Sequence, residues 1–147
     1  MRQKTTIISI GVLVVGVVLY AFTHERWTTP STELKTVLGY HNSLQLAEKS
    51  SFDHFGHYVG IDEIIGRSHG KYGLTSKCQD SYCFDVSGEH NRYTIKIVPD
   101  KNNRKSHNLV SLYSDETKVI RVTYGSPVAN ATSARLSPKE IQRFTPD

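Results

Sequence analysis

The chain has little that announces a chemistry. It contains two cysteines, one methionine and one tryptophan in 147 residues. It has no Gly-x-x-x-x-Gly-Lys-Ser loop, no Gly-x-Ser-x-Gly elbow, no His-Glu-x-x-His helix and no convincing Ser, His and Asp order. These absences argue against P-loop nucleotide hydrolases, α/β-hydrolases and zincins, because each needs its donors or nucleophile at that spacing. No internal repeat of about 20 to 50 residues is found, which removes solenoids and propellers. Acidic residues are missing from the start of the chain, where the first is Glu25. The length leaves room for one domain and excludes a multidomain enzyme or a polytopic transporter.

What is present is unevenly distributed. Of the 37% hydrophobic residues, a dense share lies in residues 7–22, and the rest of the chain is only about 32% hydrophobic. A helix over those 16 residues rises roughly 24 Å, and Thr5, Thr6 and Thr23 extend it toward bilayer thickness. The expectation is a signal anchor at residues 7–23 that contacts the lipid bilayer. Arg2 and Lys4 would hold residues 1–6 in the cytoplasm, and Trp27 would sit at the far interface. Leu19 and Ala21 make a poor cleavage site, so an uncleaved anchor is favoured over a removed signal peptide. On this reading the protein is a single-pass protein of a bacterial inner membrane with its C-terminal domain periplasmic or extracellular. Of the formal net charge of +4, those two cations account for half, so the exported part is too weakly basic for a nucleic-acid footprint.

Export changes how Cys78 and Cys83 read. In an oxidising compartment a lone pair separated by four residues is most simply a structural disulfide, and neither a Cys-x-x-Cys redox site nor a zinc knuckle can be completed. Asp53, His54 and His57 form the best metal-like cluster, yet Gly56 between the imidazoles spoils a one-face helical geometry, so no metal, cofactor or catalytic residue is assigned. Lys101, Arg104 and Lys105 form a cationic connector. It reads as a solvated tip or as a binding site for an anionic polymer, DNA or cell-wall glycan, although no aromatic residue interleaves the charges to stack bases. Asn130-Ala131-Thr132 satisfies the glycosylation pattern, a short one that arises often by chance.

Residues 24–30 read as a linker, and Pro30 opens a helical stretch in which Leu34, Val37, Leu38, Leu44 and Ala47 recur at mostly three- and four-residue steps. Residues 55–60 read as a turn and Ile61 to Ile65 as a short helical turn, and Gly66, Gly70 and Gly73 mark irregular backbone. The period then becomes two. Tyr82–Val86, Tyr93–Val98, Leu109–Tyr113 and Val119–Tyr124 predict four strands. The fold class expected is α+β: the membrane helix, then an amphipathic helix packed on a four-stranded antiparallel meander over residues 31–127, and a tail over 128–147 with a helical turn near Ser137-Pro138.

That order resembles the type IV pilins and the pseudopilins of type II secretion. The similarity rests on Leu34-Lys35-Thr36-Val37 through Ala47-Glu48-Lys49 and on Phe55-Gly56-His57-Tyr58 before Ile61-Asp62-Glu63-Ile64. It rests also on Tyr93 to Pro99 and on Ser114 to Arg121, and it covers roughly residues 31–124. The chain departs from prepilins at Lys4 to Ser9, which has neither the Gly and Phe junction nor the following Glu, and this argues against ordinary processing and polymerisation. The resemblance implies a pilin-like accessory or interaction component of a pilus or secretion apparatus. Its partners would be cell-envelope proteins, with self-association left open, and it would act by contact rather than as an enzyme. Two other readings compete. An anionic-polymer module predicts salt-sensitive binding through Arg104 and Lys105, and a small hydrolase predicts that His54, His57 and His69 converge.

Overall fold

A computed structural model describes residues 32–102, 109–125 and 128–144. Helix α1 occupies residues 32–55. Its buried positions are Leu34, Val37, Leu38, His41, Leu44, Ala47 and Glu48, steps that keep to one side of a 3.6-residue helix. Gly56, at φ 72°, ends it. Its N–H returns to the Phe52 carbonyl at 2.9 Å, the left-handed closure for which a residue without Cβ is favoured. Helix α2 (Ile61–Ser68) follows, with Ile61 and Ile64 buried. Asp62 and Glu63 in its first turn and Arg67 in its last complement the helix dipole.

The sheet is a six-stranded meander in the order β1 to β6, each strand antiparallel to the next. The strands are β1 (Cys78–Gln79), β2 (Tyr82–Gly88), β3 (Tyr93–Pro99), β4 (Val110–Asp115), β5 (Arg121–Tyr124) and β6 (Ala134–Arg135), and helix α3 (Pro138–Phe144) follows. Register aligns Phe84 with Ile97, Ile97 with Leu112 and Leu112 with Val122, so one apolar row crosses the central strands. The row is buried together with the inner stripe of α1 in one core. The Tyr40 ring lies 4.9 Å from that of Phe84, and His41 Nε2 lies 2.7 Å from Ser114 Oγ, which fixes α1 across the sheet.

Two expectations are corrected. The sheet has six strands rather than four, and three helices are formed among the described residues. The added strands are two residues each, too short to carry a period, and their neighbours define them. Asp80 and Ser81, both at positive φ, make a two-residue turn that folds β1 onto β2. Segment 128–144, expected as a tail, supplies β6 and α3. The Leu136 N–H donates to the Ile120 carbonyl at 2.9 Å, and the Arg121 guanidinium donates to the Ser133 carbonyl at 2.8 Å. The single-pass inner-membrane placement is corrected as well. No helix among the described residues is long and apolar enough to cross a membrane, since α1 buries its apolar stripe on the sheet and carries Lys35, Lys49 and Asp53 on its exposed side. The span expected at residues 7–23, with Arg2 and Lys4, lies outside the described residues.

Candidate functional site

Helix α1 keeps apolar surface in solvent on more than one side. Leu46 is 53% exposed, Phe52 37% and Phe55 51%, although the core closes without them. Phe52 and Leu46 flank a groove of about 330 Å³ whose other walls include Asn42, Gln45, Tyr58 and Tyr93. The rings of Phe52, Tyr58 and Tyr93 form a tier, each 4.8 Å from the next between centroids. Tyr58 and Tyr93 reach it from different elements. The Tyr58 N–H donates to the Glu89 carbonyl at 3.4 Å, which draws the loop after α1 against the end of β2. Gly88 permits that approach, because a Cβ there would collide with the Tyr58 and Val59 backbone, 2.6 Å from Val59 O.

At the floor of the groove lies Glu48, only 1% exposed. Its Oε2 accepts the Val59 N–H at 3.0 Å, and its Oε1 has no partner among the described residues. Burial pushes its carboxyl up to about 7; the Val59 hydrogen bond opposes the rise and the charge of Glu63 adds to it. Two turns earlier on the same stripe, burial pushes His41 down to about 4, so the ring that meets Ser114 is neutral near pH 7. The pair has the atoms of a nucleophile and a base, but His41 is 3% exposed and Ser114 0%. A substrate cannot reach them, and their bond satisfies two polar groups inside the core. Tyr82, fully buried, is likewise pushed up, by burial and then by donating to Glu33 Oε2 at 2.6 Å.

The residues singled out from the sequence fare differently. Cys78 and Cys83 are bonded, with Cα atoms 4.0 Å apart across β1 and β2. His54 and His57 turn their Nδ1 atoms to local carbonyls, those of Ser50 and Phe55, each at 3.1 Å, and Asp53 pairs with Lys49. No group of three or more candidate ligands for a metal ion occurs among the described residues. Lys101 is exposed in the turn after β3, whereas Arg104 and Lys105 of the cationic connector lie outside the described residues. Asn130 Oδ1 accepts from both the N–H and the hydroxyl of Thr132, closing its own turn. Apolar periodicity picks out Leu34, Val37, Leu38, Leu44 and Ala47 of α1 but not the polar His41 and Glu48 on the same stripe. His41 stands three residues from both Leu38 and Leu44, and Glu48 four from Leu44, which is the signal that they face inward.

No protein-family model, curated protein or solved structure matches this chain.

Proposed function

We propose that the chain is a pilin-like accessory component of a cell-envelope assembly, a pilus or a secretion apparatus, and that it works by protein contact. The observation that carries this reading is Leu46 and Phe52 on α1: two large, exposed apolar side chains that flank one groove, left over after the core is complete. Scattered apolar residues are ordinary on surfaces, but two large ones that flank the same concave wall are what a partner chain can bury. The long helix laid on an antiparallel meander supports the pilin-like part of the proposal, and the bonded Cys78 and Cys83 suit oxidising surroundings.

Photo-cross-linking from Leu46 in the full chain, in its native cells, tests it. Adducts to a pilus or secretion component are expected from Leu46 and not from exposed Asn91. Adducts to chaperones alone, or equal yields from both positions, would overturn the proposal.

A further inference from the structure

A second concavity, about 240 Å³, opens between the C-terminal half of α1 and α2. Its composition differs from that of the groove. Arg67, Lys71 and His54 line it with the hydroxyls of Ser50, Ser51 and Ser68, and no carboxylate is among its lining residues. Three features make these groups more than a cationic surface. Ser68 Oγ is buried and has no hydrogen-bond partner among the described residues, which costs the fold stability unless something fills that role. The Arg67 guanidinium lies 4.1 Å above the centre of the Phe55 ring, so its plane is held while its N–H edges stay free apart from the one that meets Glu63. Lys71 makes no ion pair among the described residues, and its ammonium, 5.4 Å from the centre of the Tyr72 ring, meets a π face rather than a carboxylate.

The chemistry that fits is a tetrahedral oxyanion on an apolar group. Hydroxyls and a guanidinium edge donate to phosphoryl oxygens, and Lys71 supplies charge. His54 donates Nδ1–H to the Ser50 carbonyl, which leaves Nε2 to accept a P–OH proton or, when protonated, to donate. Phe55 and Tyr72 supply apolar walls for an aryl or alkyl substituent. The C-terminal carbonyls of α2 lie beside Ser68 and oppose an anion, but they amount to about half a charge, less than the full charge of Lys71 alone.

We propose that the cleft between α1 and α2 binds a small phosphate monoester, with Lys71, Arg67 and Ser68 holding the phosphoryl group. The site is independent of the protein-contact reading, because Leu46 and the groove take no part in it. Calorimetric titration of the full chain with phenyl phosphate, inorganic phosphate and phenol tests it. Phenyl phosphate is expected to bind saturably and more tightly than inorganic phosphate, and phenol not at all. Lys71→Gln should weaken phenyl phosphate about 10-fold with an unchanged unfolding midpoint, and Ser68→Ala several-fold with a raised one, while Lys101→Gln leaves binding intact. The absence of saturable binding at millimolar ligand would overturn the proposal. So would affinity unchanged in Lys71→Gln and Ser68→Ala, or lowered equally by Lys101→Gln.

Discussion

His41 and Glu48 sit two turns apart on the buried stripe of α1, and burial moves them in opposite directions. A histidine whose folded pKa is about 4 against an ordinary 6.5 costs the fold stability as pH falls from 6.5 toward 4, because the unfolded chain takes the proton first. A carboxyl at about 7 against 4.5 does the reverse: it costs stability as pH rises from 4.5 toward 7. Between those limits the two dependences offset each other, so the wild type should show a nearly flat urea midpoint from pH 5 to pH 6. Each single substitution should uncover the other slope. Glu48→Gln should become more stable as pH rises through that window, and His41→Gln less stable. Parallel flat profiles in both variants would show that neither group is buried as described. Neither residue stood out in the sequence, since a search for apolar periodicity discounts polar side chains even where the helical phase turns them inward. The cleft was hidden for a related reason: Arg67 and Ser68 belong to a helix read only as far as Ile65, and Lys71 to a glycine-punctuated stretch with no period.

Elements follow the same division. Strands β2, β3 and β5 were legible because each alternates a buried face with a wetter one, and β4, where Val110, Ser111 and Leu112 are all buried, by its run of strand-forming residues; the observed ends lie within about two residues of those expected. Strands β1 and β6 were not, because the pairing of two residues is decided by what the chain folds against. The Ser137-Pro138 signal for α3 was legible and is realised as a capping box: Ser137 Oγ accepts the Glu140 N–H at 3.3 Å, and Glu140 Oε2 accepts the Ser137 N–H at 2.9 Å. Those bonds hold the fully exposed Glu140 carboxyl below its usual range. At this scale the hairpin of β1 and β2 depends on a covalent tie. Replacing Cys78 and Cys83 by Ser should lower unfolding free energy by about 2 kcal/mol, as expected for so short a loop, measured in urea. An unchanged midpoint would mean the turn alone sustains the hairpin. Gly88→Ala should be the costlier change, about 2–4 kcal/mol, since the contacted atoms are backbone and cannot swing aside.

For the molecule as a whole, the core is shared between α1 and the meander, and residues 128–144 close it at one side. Ala129 and Leu136 are 1% and 7% exposed, and Ile141 and Phe144 pack against the core from α3. Ending the chain at residue 127 should therefore lower the urea midpoint, with loss of Leu136 burial alone worth about 2 kcal/mol. An unchanged midpoint would show that the segment is an ornament. The two short outer strands have another consequence. Each flank of the sheet ends after two paired residues, one flank pinned by the Cys78–Cys83 bond and the other running on into α3. Such stubs offer too few free amides and carbonyls to template an incoming extended peptide. At those two stubs β-augmentation is thereby disfavoured, for partners and for copies of the chain alike.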